Sequence, residues 1–168
     1  EKQRGSYRRL RAAPFTSGQL IIAMAIHYLI VSMLSLIMMV IVGVLVFHFN
    51  MRGDWLLFSL MSVVSAMMMV GLGLMIGSWA KNENQSAPLT NLISFPMMFL
   101  SGAFIPSFLF PEWLRNVTQF VPMSSIVDGF RLIMTEHANL IGVLPQIGTV
   151  TAWIVVVYIA AIKLFRWE

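Results

Sequence analysis

The sequence contains no cysteine, which excludes a disulfide framework, a thiolate metal site and a cysteine nucleophile. Charge is also scarce: 11% of the 168 residues are Asp, Glu, Lys or Arg, about half the fraction of an ordinary soluble domain. Because 58% of the residues are hydrophobic, a chain of this length cannot bury them in one small core. The same hydrophobicity excludes disorder. The composition therefore predicts an integral membrane protein, with lipid as the solvent for its apolar side chains.

Motifs of catalysis are missing as well. The sequence has no Gly-x-x-x-x-Gly-Lys-Ser/Thr phosphate loop, no His-Glu-x-x-His zinc motif and no Gly-x-Ser-x-Gly nucleophile elbow. We therefore expect no catalytic residue, no metal and no cofactor in this chain, and we do not expect it to be an enzyme. Its net charge of +4 is interpreted as membrane topology, so nucleic acid is not an expected partner.

Long apolar runs predict an all-α membrane fold with four transmembrane helices in a single domain, residues 1–168. Residues 19–49 contain no charged side chain, and residues 55–79 begin and end on tryptophan, as interfacial aromatic belts do. The third span is predicted at 86–105, bent or broken by its two prolines. The fourth is predicted at 147–166.

The distribution of Lys and Arg predicts that both ends of the chain are cytoplasmic. In that orientation eight of the eleven basic residues lie inside, and Arg52, Arg115 and Arg131 lie outside. This agrees with the positive-inside rule for an even number of spans. Five of the eight fall within residues 1–11, and this basic segment can also serve as a lipid-binding arm. A multi-pass protein of the plasma membrane is expected.

Residues 107–146 are predicted to form two short helices that dip back into the outer leaflet. Pro111 followed by Glu112 favours a helix start, and apolar residues recur at helical spacing on both sides of Pro122. Neither segment is long enough to cross the bilayer. Asp128 and Arg131 are three residues apart and are expected to pair with each other or with a neighbouring helix, because lone charges at membrane depth are costly.

Three motifs carry a resemblance to a known family. In chain order they are EKQRGSYRRLRAAP at 1–14, SGAFIP with PEWL at 101–106 and 111–114, and PMSSIVDGFR at 122–131. With these motifs the chain resembles the permease subunits of type 2 ABC exporters, the ABC-2 family, over nearly its whole length. Such permeases have six spans. The chain is therefore expected to be the C-terminal four of six, with a true N-terminus upstream of Glu1.

The resemblance implies a transport function with partners. A permease of this kind moves an amphipathic drug, antibiotic or lipid-like molecule outward across a bacterial plasma membrane, with polysaccharide or ions as alternative cargoes. ATP and Mg²⁺ would be bound by separate ABC ATPase subunits. A second identical or homologous permease and membrane lipids are the other expected partners. A proton-driven transporter and a membrane scaffold or immunity protein without an ATPase are the alternatives from other classes.

The resemblance also implies that residues 1–16 form a cytoplasmic coupling helix that docks on the ATPase. Arg4, Arg8 and Arg11 recur on one helical face, and a mixture of arginine and aromatic residues suits an interface. A positive-inside anchor is the alternative. The residues assigned to coupling are Arg4, Gly5, Tyr7, Arg8, Arg9, Leu10, Arg11 and Pro14.

An outer gate is predicted where the third span ends. A glycine and a proline there leave backbone groups free, which is tolerable only where protein or water covers them. A re-entrant turn at 101–106 and a plain helix end are both compatible with this pattern. The residues assigned to the gate and the re-entrant helices are Ser101, Gly102, Pro106, Pro111, Trp113, Pro122, Asp128 and Arg131.

Two further sets of residues are assigned inside the spans. Gly73 and Gly77 form a Gly-x-x-x-Gly pair, which predicts close helix packing within one subunit or between two permeases. Met97, Met98 and Phe99 are assigned to the substrate path because methionine adapts to irregular partners. Ordinary lipid-facing packing is the alternative for these three residues.

Overall fold

The computed structural model describes residues 17–48, 53–80, 83–106, 109–136 and 138–164. Within these ranges the chain forms six helices and no strand, which confirms the predicted all-α fold. The helices are α1 (Ser17–Phe47), α2 (Trp55–Trp79), α3 (Glu83–Leu100), α4 (Glu112–Thr118), α5 (Pro122–Thr135) and α6 (Leu140–Leu164).

Three of these helices, counted over the described residues, are long and apolar enough to cross a membrane: α1, α2 and α6. The span predicted at 86–105 is not among the three, because α3 does not qualify within the described residues, so the predicted count of four is not confirmed. The helix α3 is only 18 residues long, and seven of these residues are polar or charged: Glu83, Asn84, Gln85, Ser86, Thr90, Asn91 and Ser94. Neither Pro88 nor Pro96 breaks α3, because each removes a single N–H donor and the other hydrogen bonds carry the helix past it.

Local hydrogen bonds fix where the second and last spans begin. The Asp54 carboxylate accepts the Leu56 N–H at 2.9 Å, and the Asp54 carbonyl accepts the Phe58 N–H at 3.0 Å, so α2 begins at Trp55 with a side-chain cap. The Asn139 carbonyl accepts the Gly142 N–H at 2.9 Å. The helix α6 therefore begins at Leu140, seven residues before the start predicted from hydropathy.

The core is built by α2, α5 and α6. Its fully buried members come from all three helices: Leu57, Met61, Met68, Leu72, Ile76, Ile126, Ile133, Val143 and Val150. The helices α2 and α6 run parallel. Near their starts Gly129 of α5 lies beside both Met61 of α2 and Gln146 of α6, and further along Gly71 of α2 lies against Val157 of α6. The approach at Gly71 is close, because an added Cβ there would lie 2.5 Å from the ring of Tyr158.

The remaining long helices lie at the edge of this core. In α1 the only described residues that are buried are Ile21 and Ala25, both in its first three turns. In α3 none of the described side chains, 84–100, is fully buried, although Leu89, Ile93 and Met97 pack against the core. The chain thus divides into a well-packed unit of α2, α5 and α6 and two loosely attached helices.

Candidate functional site

The two short helices form a hairpin that reaches deep along α6. The indole N–H of Trp153 donates to the carbonyl of Phe120, in the turn between α4 and α5, at 2.9 Å. Trp153 is thirteen residues beyond Leu140, the first residue of α6, or about 20 Å along the helix axis. The turn of the hairpin therefore lies level with the middle of α6. The two short helices predicted within 107–146 are thus present as α4 and α5, and their dipping into the outer leaflet stays a prediction.

Close contacts seat α5 firmly on α2. The rings of Phe58 and Phe130 lie 5.4 Å apart, and Gly129 faces Met61 so closely that an added Cβ would lie 2.5 Å from the Met61 methyl group. At the end of the same contact, a Cβ on Gly53 would overlap the carbonyl oxygen of Ile133. Glycine is therefore required at Gly53, which faces backbone, whereas a Cβ at Gly129 would need the end of the Met61 side chain to shift.

The end of α3 is a tight, buried turn. Gly102 has φ of 78°, a conformation that favours glycine. The Ser101 hydroxyl donates to the Met98 carbonyl at 2.6 Å and accepts the Ala103 N–H at 3.3 Å. Both Ser101 and Gly102 are buried, whereas residues 103–106 are exposed. Serine and glycine therefore end the helix, and this end is covered by protein.

What covers it is α5. The Ser124 hydroxyl donates to the carbonyl of Leu100 at 3.0 Å, and the Arg131 guanidinium donates to the carbonyl of Gly102 at 3.3 Å. Sequence reasoning assigned Arg131 and Gly102 but missed Ser124. A signal was present, because Ser124, Asp128 and Arg131 are spaced four and three residues apart and share one helical face.

The predicted pair of Asp128 and Arg131 is present. The Arg131 Nη1 lies 3.5 Å from the Asp128 Oδ1, with both side chains about two-fifths exposed. Burial raises the pKa of Asp128 above its ordinary value of 3.8, the nearby Arg131 cation opposes this shift, and Glu136 adds to it. The carboxylate is thus only partly compensated by its partner.

The other residues assigned to the outer gate have mixed positions. Pro122 is buried and is the first residue of α5. Proline suits this position, because the backbone N–H that it lacks would have no partner within the helix. Pro111 caps α4 from the preceding position, which corrects the predicted helix start by one residue. Pro106 and Trp113 are exposed. Within the described chain neither residue forms a hydrogen bond with α3 or α5.

The glycines assigned to helix packing are not the ones that pack inside this chain. An added Cβ on Gly73 or Gly77 would meet no atom of the described structure within 4 Å. Gly71 makes the close approach to α6 instead. No described residue therefore packs closely on the assigned pair, and its packing within one subunit or between two permeases remains a prediction.

The residues assigned to the substrate path and to coupling are placed differently from one another. Met97 packs partly buried against the core, Met98 is half-buried and Phe99 is exposed with its ring 5.9 Å from that of Phe104. These three residues thus face in different directions rather than lining one surface. The coupling residues at 4–14 lie outside the described residues.

Two buried polar atoms escaped the sequence analysis. The Ser65 hydroxyl in α2 and the Gln146 carbonyl oxygen in α6 have no hydrogen-bond partner within the described part of the chain. Gln146 lies beside Gly129, with 3.6 Å between its Cβ and the position of an added Cβ. Among the described residues no group of His, Cys, Asp or Glu is arranged to hold a metal ion.

A helical membrane protein in which a hairpin of two short helices covers the end of a polar helix is the class that this geometry defines. Residues 1–135 match the family described as the ABC-2 type transporter. The chain belongs to that family.

Curated relatives are similar over much of the chain. The inner membrane transport permease YhhJ of Escherichia coli is 27% identical over 158 residues, which cover 90% of this chain and 41% of that protein. The probable multidrug ABC transporter permease YbhS of Escherichia coli is 26% identical, over 76% of this chain and 34% of its own length. The linearmycin resistance permease protein LnrN of Bacillus subtilis is 25% identical, over 58% and 25%. The chain thus spans less than half the length of these relatives. No solved structure gives a significant match.

Proposed function

We propose that this chain is the membrane-spanning part of an ATP-driven exporter that moves an amphipathic drug or antibiotic outward. The observation that carries the proposal is the junction between α3 and the re-entrant hairpin, where Ser124 and Arg131 cover the buried end of α3. A polar helix whose end is covered through two hydrogen bonds from a neighbouring helix suits a gate better than a static scaffold. The names of two relatives, a probable multidrug permease and a linearmycin resistance permease, favour a drug or antibiotic as the cargo.

Energy for transport is proposed to come from a partner ATPase. The sequence has no phosphate-binding loop, so ATP and Mg²⁺ would be held on separate ABC ATPase subunits, and this chain would hydrolyse nothing itself. Residues 1–16 are proposed to dock on that ATPase, with Arg4, Arg8 and Arg11 on the docking face. A second permease subunit would complete the membrane part, with both chain ends cytoplasmic.

Other cargoes and other classes are less well supported. Export of polysaccharide or of ions is compatible with the family alone. A proton-driven transporter needs an ionisable residue near the middle of the membrane, and within 19–49 the sequence offers only histidines. A scaffold or immunity protein would not need the basic segment that precedes the first span.

The test is gentle purification of the full-length protein in nanodiscs, followed by mass spectrometry of what copurifies and an assay of vanadate-sensitive ATP hydrolysis. We expect a stoichiometric ABC ATPase. Reversing Arg8 and Arg9 to Glu is expected to release it, whereas the matched reversal of Lys163 and Arg166 is expected to retain it. If both reversals act equally, the basic segment is only a topological anchor. If no ATPase binds the unmodified protein, the exporter proposal fails.

A further inference from the structure

The polar helix α3 is held by α5 at its C-terminal end, and along its length Leu89, Ile93 and Met97 pack against the core while only partly buried. Along its length none of the described side chains is fully buried, and Leu92, Phe95 and Phe99 are each exposed by half or more. The two residues that follow the helix, Ser101 and Gly102, are both buried. A helix that is loosely packed along its length and covered at one end can change its tilt only if that end is released or rotates in place.

Two side chains from α5 hold this end. Ser124 and Arg131 are seven residues apart, so they stand two turns apart on one face of α5. They donate to the carbonyls of Leu100 and Gly102, which are two residues apart. Attachment at two separate points fixes the rotation of the end of α3 as well as its position.

The helix that carries these donors is itself firmly seated. Its Gly129 contacts Met61 of α2, its Phe130 ring packs at a tilt against that of Phe58, and the turn before it is hydrogen-bonded to Trp153 of α6. When α3 and α5 separate, α3 is therefore the element that moves.

We propose that Ser124 and Arg131 form an outer clasp that holds α3 closed and releases it in each transport cycle. This inference rests on the proposed export function and names the positioning residues of its gate. Neither residue needs to touch the cargo. Their role is to set how readily the end of α3 leaves α5.

The charges around the clasp keep the free-energy cost of releasing α3 low. Arg131 keeps its own partner, because Asp128 lies one turn earlier on the same helix with 3.5 Å between Nη1 and Oδ1. Both side chains are about two-fifths exposed, at 41% and 43%, so water can replace the carbonyl of Gly102 as the acceptor. Gly102, which carries this carbonyl, is followed directly by the exposed residues 103–106. Release of Arg131 thus leaves neither a lone buried charge nor an unreachable acceptor at this half of the clasp.

The absence of cysteine allows a direct test. In the full-length protein in proteoliposomes, Ser101→Cys would place one thiol between the two clasped carbonyls, and a membrane-impermeant maleimide would be the probe. We expect slow labelling at rest. Adding Arg131→Gln should speed labelling about tenfold, and adding Ser124→Ala about fivefold, since a hydrogen bond shifts an equilibrium by roughly these factors.

Matched variants separate the clasp from general loosening. Arg115→Gln removes a basic residue from the outer hairpin that forms no ion pair within the described chain, and Ser125→Ala removes the neighbouring buried hydroxyl. Neither should change the labelling rate, and Arg131→Lys should restore part of the slow rate. If Arg131→Gln and Arg115→Gln have equal effects, the clasp is refuted.

The transport cycle supplies the second arm of the test. In a complex that hydrolyses ATP, labelling of Ser101→Cys should rise during turnover, whereas labelling of the exposed control Ala103→Cys should stay constant. Unchanged labelling of Ser101→Cys during ATP hydrolysis would mean that the contact is a fixed anchor, which overturns the proposal. A failure of the export function itself is recognised separately, because no ATPase would then be bound or active.

Discussion

The closest contact between the two best-packed helices predicts a large difference between neighbouring glycines of α2. A methyl group added at Gly71 would lie 2.5 Å from Cε2 of Tyr158 and 2.8 Å from Cγ2 of Val157. Val157 is β-branched and stiff, and the Tyr158 ring is anchored on the same helix, so α6 must shift. At Gly73, two residues further on, the same methyl group would meet no described atom within 4 Å.

The expected magnitude follows from two opposing effects. Replacing Gly by Ala within a helix stabilises it by about 1 kcal/mol, and overfilling a packed contact costs about 1–3 kcal/mol. We therefore expect Gly71→Ala to be neutral or to destabilise by as much as about 2 kcal/mol, and Gly73→Ala to stabilise by at most about 1 kcal/mol. The two variants should differ by about 1–3 kcal/mol, or several degrees in unfolding temperature.

The assay is unfolding of the purified full-length protein in one lipid and detergent composition, with Gly77→Ala as a second control. The argument from α2–α6 packing is refuted if Gly71→Ala is as stable as Gly73→Ala. A loss of stability in Gly73→Ala and Gly77→Ala together would point instead to another chain covering this face. That would support the Gly-x-x-x-Gly contact between two permeases.

Two further substitutions test the site. Trp153→Phe removes the donor to the Phe120 carbonyl and should destabilise by about 1–2 kcal/mol, whereas the exposed control Trp113→Phe should have little effect; equal unfolding midpoints would mean that the hairpin is not tied to α6. Because the pKa of Asp128 is raised by burial, the folded chain binds this proton more tightly than the unfolded chain does, and stability is lost as pH rises above about 3.8 through the raised pKa. Asp128→Asn should therefore raise the unfolding midpoint at pH 7 and not at pH 3, and a lower midpoint at pH 7 would contradict the argument.

Features set by local chemistry could be predicted from the sequence. The span at 55–79 coincides with α2 because both of its ends are marked by polar residues beside tryptophan, and Asp54 caps the first turn. The pair of Asp128 and Arg131 is also local, since residues three apart on a helix are neighbours. In each case the residues that allow the prediction and the atoms that form the contact lie within one or two helical turns of each other.

Features that join distant segments could not be predicted in this way. The contact of Ser124 with Leu100 spans 24 residues, that of Arg131 with Gly102 spans 29, and that of Trp153 with Phe120 spans 33. The spacing of glycines was misleading for the same reason. Which glycine of α2 packs depends on how the helix is rotated toward Tyr158, and a motif within one helix does not contain that information.

The division between firm and loose packing bears on how a signal from a partner would reach the gate. The basic segment at 1–16 leads directly into α1, and the two buried residues of the described part of α1, Ile21 and Ala25, lie within its first three turns. Movement of that segment would therefore enter the well-packed unit near the start of α1, and the exposed remainder of this helix would transmit little of it. Because α5 belongs to the same unit as α2 and α6, a small tilt of the unit would carry Ser124 and Arg131 with it. The helix α3 meets this unit along its length only through partly buried side chains, Leu89, Ile93 and Met97, so under the proposed clasp such a tilt would also act on the two carbonyls that Ser124 and Arg131 hold.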